Sequence, residues 1–368
     1  MKHNLHEIVA HFPLEGVFLG AAPYGNGHIN DTYVSRWDVG GRVVHSLQQR
    51  INHMIFREPL KVMDNILRVT RHLRERLSKR PGADPARECL TVVPARDGQP
   101  CYVDPGGNCW RTYVFVERAR SYDVCEGPRQ AREAAQAFGR FQQLLVDLPG
   151  GRLHETIPFF HHTPRRFAAL EQAIATAPAE RRAAAGPEIE FALARRDTTS
   201  VVTDLLESGR MPERTTHNDT KLSNVLIDDS TGRGVCVIDL DTVMGGAALY
   251  DFGDLVRTCT PTAPEDEPDL ARVQFRMDVF EALAEGYLQY GREFLTPVEL
   301  EHLPFAGPLI TFTIGIRFLA DYLAGDVYFK VHRPGHNLER ARVQFRMMAH
   351  MESRCRDMEA AVRRWASG

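Results

Sequence analysis

The hydrophobic period changes once along this chain, near Glu117, and that change sets the fold class. Up to about residue 116 the sequence reads as short extended runs, at 19–24, 31–36, 42–49, 90–94 and 111–116. Gly25, Gly27, Gly40-Gly41, Asp97-Gly98 and Pro105-Gly106-Gly107 stand between them. β-formers bounded by such turn residues predict strands. One helix interrupts them: after Pro59, residues Leu60, Met63, Ile66, Leu67, Thr70, Leu73 and Leu77 follow a three-and-four spacing. Beyond Glu117 the spacing is helical, over 129–145, 165–176, 187–208, 270–290, 308–323 and 339–365, with 178–185 as a solvated helical link. The exception is 223–241, where two apolar runs flank a polar turn containing Gly232 and Gly234, a predicted hairpin. The expectation is an α+β chain in two lobes: a small β-rich N-lobe with one main helix, and a larger, mainly helical C-lobe.

Length agrees, since 368 residues exceed the roughly 100 to 200 of a typical domain. The predicted division is 1–117 and 118–368. Lys+Arg is 45 against Asp+Glu 48, a formal charge of −3, so the basic excess of a nucleic-acid binder is missing. The start of the chain lacks a secretory pattern, and the longest apolar stretch, 305–316, contains Pro308 and stops at Arg317. Seven cysteines without a C-x-x-C pair favour reduced thiols. A soluble, cytoplasmic protein is expected, with no nucleic-acid or membrane partner, as a monomer or weak homodimer.

The strongest chemical signal is His217-Asn218-Asp219-Thr220-Lys221-Leu222-Ser223-Asn224, followed by Val235-Cys236-Val237-Ile238-Asp239-Leu240-Asp241. This is an H-x-D-x-x-x-x-N loop, in which an Asp receives the proton of an attacking hydroxyl and an Asn helps hold magnesium. An antiparallel hairpin lays the start of one strand beside the end of the other, so Asn224 and Asp239 are expected to converge as Mg²⁺ ligands, with Asp241 as a further metal candidate. Asp219 is the candidate catalytic residue. His217 and Asp251, the latter in a literal Asp251-Phe252-Gly253, are assigned bracing roles, because Asp251 does not end the apolar strand.

These motifs, with Tyr24-Gly25-Asn26-Gly27-His28-Ile29-Asn30, Leu47-Gln48-Gln49 and Gly315-Ile316-Arg317-Phe318-Leu319-Ala320-Asp321, resemble the aminoglycoside phosphotransferase group of small-molecule kinases and, more narrowly, its N-acetylhexosamine 1-kinases. The resemblance runs from about residue 8 to 351. It implies a protein-kinase-like fold, ATP and Mg²⁺ as cofactors, a small-molecule sugar as partner, and transfer of the γ-phosphoryl to the anomeric hydroxyl of N-acetylglucosamine or N-acetylgalactosamine. It makes Asn30, Arg317 and Tyr328 sugar-contacting positions beside Asp219. The first lobe is then nucleotide-binding and the second catalytic and substrate-binding.

The residues themselves leave several readings open. Gly25, Gly27 and His28 lie in a turn that lets backbone approach phosphate, or that only reverses the chain. Where a protein kinase carries its third-strand Lys, this chain offers an amide, Gln48, which also admits a non-catalytic nucleotide-binding module. Phe115, Val116 and Glu117, at the change of period, match an adenine-binding hinge or ordinary strand packing. Arg317 and Asp321, four apart on an apolar helix, make an internal salt bridge or meet a polyhydroxylated ligand. Other hydroxyl acceptors, an aminoglycoside, choline or homoserine, remain alternatives.

Overall fold

Along the strand Asp31–Val39, Tyr33, Ser35 and Trp37 alternate inward, the two-residue period of a half-buried strand. In the computed structural model, which describes residues 3–25, 27 and 29–367, this strand pairs antiparallel with Val17–Pro23 and with Arg42–Arg50. Val39 pairs with Arg42, so Gly40 and Gly41 make a two-residue hairpin turn at φ 62° and 85°, which L side chains resist. Cys109–Val114 continues the sheet beside Arg42–Arg50, and Val92–Val93 and Tyr102–Val103 both pair with it. Under this sheet Leu5, Ile8, Phe12, Tyr33, Ala95 and Trp110 form an apolar cluster.

The chain divides into two compact units: Met1–Arg120, Asp147–Pro158 and Val225–Gly245 form one, and Ser121–Val146, Phe159–Asn224 and Gly246–Gly368 the other. The hairpin Val225–Asp228 with Gly234–Val237 thus belongs to the first unit, where Ala119–Arg120 adds a third strand. Its turn is organised by Asp228, whose Oδ1 accepts the backbone N–H groups of Ser230 (3.0 Å) and Thr231 (2.8 Å). The helix Pro59–Ser78 carries a fully buried Asn65. Its amide donates to the carbonyls of His154 (2.8 Å) and Val243 (3.0 Å) and accepts from His154 N–H (2.9 Å), so one side chain satisfies three buried backbone groups.

The second unit is built on helices, and glycines let several approach closely. A Cβ on Gly286, in Met277–Gly291, would lie 2.3 Å from the carbonyl oxygen of Arg132 in Pro128–Leu144, and one on Gly253, in Ala248–Cys259, 2.4 Å from that of Ala306 in Pro297–Ala324. The helix Pro297–Ala324 opens with a capping box, Thr296 with Glu299. It is long and apolar enough to cross a membrane by composition, yet most of that apolar length is buried inside the protein. Phe312, Ile316, Leu319 and Leu323 pack there with Phe167, Leu170, Phe345 and Met348.

Four helical expectations are corrected. The helix expected at 308–323 begins at Pro297, because the capping box starts it and the two prolines are tolerated inside it. The run 187–208 breaks into Gly186–Leu193, a 3₁₀ turn Arg196–Thr198, and Val201–Glu207. There the hydroxyls of Thr198, Thr199 and Thr203 take the carbonyls of Arg195, Arg196 and Ser200. The run 270–290 starts as a helix only at Met277, because Phe275 bridges Pro261 and Gln274 N–H donates to Thr262. The run 339–365 is two helices, His336–Ser353 and Cys355–Ala366.

Gly286→Ala should cost at least about 1 to 3 kcal/mol, since the clash is with backbone that cannot swing away. Urea unfolding should show a lower midpoint with an unchanged slope, whereas a wild-type midpoint would mean that these helices have room to part.

Candidate active site

The loop 217–224 follows the short strand Arg214–Thr216 in the second unit. Asn218 holds a left-handed conformation, φ 66°, which is costly outside glycine and persists where neighbours over-determine it. Here the neighbour is Asp251. Its Oδ2 accepts the N–H of His217 (2.9 Å) and the Gln142 side-chain amide (2.5 Å), and its Oδ1 accepts the N–H of Asn218 (2.7 Å). Thr220 Oγ1 donates to the Asp251 carbonyl (2.5 Å). Burial pushes the Asp251 carboxyl above the usual range, against the pull of His217 and of these hydrogen bonds. His217 lies edge-on to Phe138 and Phe141, and its Nδ1 accepts Asp219 N–H (3.2 Å).

Asp219 is thereby presented with its side chain 29% exposed. Its Oδ2 accepts from Asn224 Nδ2 (2.9 Å) and meets Lys221 Nζ (3.0 Å). Burial raises its pKa, but the charges of Lys221 and His217 and the hydrogen bonds from Lys221 and Asn224 outweigh this and hold the carboxyl below the ordinary range. Asn224 Nδ2 also donates to the Asp219 carbonyl (2.8 Å). With both these bonds made through nitrogen, the Asn224 amide oxygen has no donor among the described residues, which suits a hard cation.

In the first unit, Val225 pairs with Val237, so the hairpin register runs up to the residue after Asn224 and stops two short of Asp239. Asp239 adopts φ 60°, ψ 56°, left-handed again, and opens the 3₁₀ turn Leu240–Thr242. Asp241 is buried with both carboxylate oxygens engaged, by Arg111 Nη1 (2.5 Å) and Asn30 Nδ2 (2.7 Å), and its carbonyl accepts from Thr156 (2.8 Å). Asn30 also accepts Asn52 N–H (3.0 Å), so it joins Asp241 and the segment after Arg42–Arg50. Gln48 is fully buried and spent inside the sheet, accepting from Ser35 Oγ (2.5 Å) and donating to Ser46 Oγ (2.8 Å). Phe115 lies edge-on to Tyr24 and tilted against His45, whose Nδ1 is 2.7 Å from Glu117 Oε1, while Val116 is buried. Gly25 (φ 75°) and Gly27 are exposed, and His28 lies outside the described residues.

Arg317 and Tyr328 meet in the second unit, the guanidinium carbon 5.9 Å from the ring centroid. Sequence reasoning missed Arg111, although an Arg inside an apolar strand signals a buried partner. It also missed His161, whose only cue was its place before the helix Thr163–Thr176. His161 Nε2 donates to the Asn218 carbonyl (2.8 Å), and burial pushes its pKa down to about 4, so the ring is neutral at pH 7.

A family model described as the APH phosphotransferase enzyme family matches residues 20–291. Among solved structures, the aminoglycoside phosphotransferase of Alicyclobacillus acidocaldarius is 15% identical with a TM-score of 0.59, over 98% of this chain and 96% of that one. A microcompartment-associated aminopropanol kinase is 17% identical with a TM-score of 0.58, over 95% and 96%. A spectinomycin phosphotransferase in complex with ADP and spectinomycin is 10% identical with a TM-score of 0.57, over 95% and 96%. At these identities the likeness is one of fold, and the fold is the two-lobed, kinase-like one.

Two measurements test this geometry. Unfolded His161 titrates near 6.5 and the folded ring near 4, so the unfolded state takes the proton first and stability falls as pH drops through that window, by up to roughly 3 kcal/mol. His161→Gln should flatten this part of the acid side of a urea-midpoint profile, and an unchanged slope would remove His161 as the titrating group. Arg111→Met leaves the Asp241 carboxylate buried without its cation and should destabilise by about 3 to 5 kcal/mol. A denaturation midpoint near that of the wild type would mean that Asp241 finds another counter-charge.

Proposed function

Because this chain belongs to the APH phosphotransferase enzyme family, we propose that it is an ATP-dependent small-molecule kinase acting on the anomeric hydroxyl of an N-acetylhexosamine. The products are ADP and the sugar 1-phosphate. The observation that carries the phosphoryl-transfer reading is Asp219, part-exposed, hydrogen-bonded by Asn224 and held on a loop fixed by Asp251. As the sugar oxygen forms its bond to the γ-phosphorus and the bond to ADP breaks, the hydroxyl proton passes to the Asp219 carboxylate. A carboxyl below the usual range is a weak base. That suits a loose transition state in which positioning contributes more than early proton removal.

The donor set fits Mg²⁺, which commonly takes one or two protein oxygens and completes its shell with phosphates and water. The sequence motif assigns Asn224, by its amide oxygen, and Asp239, by its carboxylate, to Mg²⁺, which when bound neutralises phosphate charge. Asp241 is assigned instead to fixing Asp239, through its bonds to Arg111 and Asn30. Gly25, Gly27 and His28 are assigned to the phosphates, Phe115, Val116 and Glu117 to adenine, and Gln48 to supporting the strand beneath the nucleotide. ATP use is supported by the ADP in the spectinomycin phosphotransferase complex. The first lobe, 1–117, is taken as nucleotide-binding and 118–368 as catalytic.

The acceptor reading rests on the sequence resemblance at Asn30, Arg317 and Tyr328. Arg317 supports it further. Its guanidinium is desolvated and forms no ion pair among the described residues, so a cationic amino alcohol such as choline would meet like charge there. A neutral polyol can accept its hydrogen bonds.

ADP release should be measured with N-acetylhexosamines, neutral hexoses, choline and kanamycin, followed by phosphorus NMR of the product. N-acetylhexosamines should give the highest turnover and a phosphate on the anomeric oxygen. Asp219→Asn should lower turnover about 10²- to 10⁴-fold while the protein still binds ATP. Phosphate on any other oxygen would overturn the acceptor assignment, and near-normal turnover of the variant would remove Asp219 from its role.

A further inference from the structure

A peptide plane is fixed when hydrogen bonds hold both of its edges, and the plane joining Asn218 to Asp219 is held in this way by two histidines. On one edge the Asp219 N–H donates to His217 Nδ1 (3.2 Å). On the other the Asn218 carbonyl accepts from His161 Nε2 (2.8 Å). His217 belongs to the loop itself, whereas His161 reaches it from 57 residues earlier in the chain, just before the helix Thr163–Thr176.

What this plane controls is the direction of a carboxylate. The N–H and C=O of one peptide turn together about the line between neighbouring Cα atoms, changing ψ of the first residue and φ of the second. Here those residues are Asn218, already left-handed at φ 66°, and Asp219. A rotation that hardly moves either Cα therefore swings the Asp219 side chain away from Asn224 and Lys221, its partners at 2.9 Å and 3.0 Å. The bonds from Asp251 do not prevent this, because they reach the N–H groups of His217 and Asn218, on the two preceding peptides.

The His161 ring is placed for this one bond. It is buried, with the ring of Phe160 at 4.6 Å and that of Tyr250 at 5.2 Å between centroids. Its other nitrogen, Nδ1, is buried with no hydrogen-bond partner among the described residues. A buried polar atom left without a partner costs stability. An aliphatic side chain of similar volume would avoid that cost, so what an imidazole adds here is the bond to the Asn218 carbonyl.

We infer that His161 is a positioning residue for phosphoryl transfer: by holding the Asn218 carbonyl it sets the Asp219 carboxylate toward the acceptor hydroxyl. It acts through the peptide rather than on a substrate. This rests on the reading of Asp219 as the group that receives the hydroxyl proton. Because that step depends on positioning, a turned carboxylate slows phosphoryl transfer and leaves nucleotide affinity alone.

Three substitutions separate the bond from the packing. In His161→Gln an amide N–H can reach the place of Nε2; in His161→Met the side chain has the same reach and no donor; in His161→Asn the amide is too short to reach the carbonyl. With the best acceptor of the ADP-release panel, His161→Met should lower kcat at least about ten-fold with the KM for ATP within about two-fold of wild type, and His161→Gln should recover most of that loss. His161→Asn should behave as His161→Met, so a fold lost to methionine alone leaves the comparison intact. Hydrogen exchange read by mass spectrometry on the full chain without substrates should be faster over 217–224 in the Met and Asn variants than in the wild type or His161→Gln, and unchanged elsewhere. Near-wild-type kcat in both donor-less variants, a kcat in His161→Gln as low as theirs, or a KM for ATP that rises as kcat falls would overturn the role. If the wild type releases no ADP with any acceptor, the kinase reading fails by itself, and exchange decides whether His161 holds the loop: equal exchange over 217–224 in all four proteins would overturn that too.

Discussion

The second unit's chemistry depends on one buried carboxylate. Asp251 takes the backbone N–H groups of His217 and Asn218 and the side chain of Gln142, so the loop is held by its main chain, whatever its side chains do. This anchoring stabilises Asn218 in a left-handed conformation and turns Asp219 outward, while His217 is buried against Phe138 and Phe141. An acid in the core is expensive unless fully hydrogen-bonded, and here two of the bonds it accepts, from His217 and Asn218, also fix residues beside the catalytic candidate. Asp251 and Asp219 are thus two carboxyls pushed in opposite directions by their surroundings, one up by burial and one down by Lys221 and His217.

The first unit solves a similar problem with an ion pair. Asp239 is left-handed, a conformation that costs an aspartate energy unless both flanks are fixed. On one side the strand Gly234–Val237 is paired with Val225–Asp228; on the other Asp241 is clamped by Arg111 and Asn30. Arg111 lies directly opposite Gln49, and its guanidinium also meets the Gln49 amide oxygen at 2.9 Å. The positive charge missing at Gln48 is therefore present one strand over, where it is used to hold Asp241.

What could be read from the sequence followed from local chemistry. The change of period near Glu117, the hairpin after Asn224 and the strands around Gly40-Gly41 depend on residues adjacent in the chain, and each appears with boundaries close to those expected. Helix ends were harder to read. The break near Arg196 comes from threonine hydroxyls competing for carbonyls, and the early start at Pro297 from a capping box outside the apolar run that drew attention. The partners of Asp241, Asp251 and Asp321 were beyond reach, because Arg111, Gln142 and Asn337 are brought to them only by the folded chain.

Asp321 shows why spacing alone misjudges charge. Arg317 and Asp321 share a helix face, and a surface helix would pair them for a few tenths of a kcal/mol. Here the helix ends at Gly325, and the loop beyond it presents three unsatisfied N–H groups, at Val327, Tyr328 and Phe329, to the same carboxylate. Three charge-assisted bonds from backbone N–H groups, with a fourth from the Asn337 amide, occupy both carboxylate oxygens, where Arg317 would offer one partner. The loop therefore takes the carboxylate, and Arg317 keeps a charge available to something the chain does not supply.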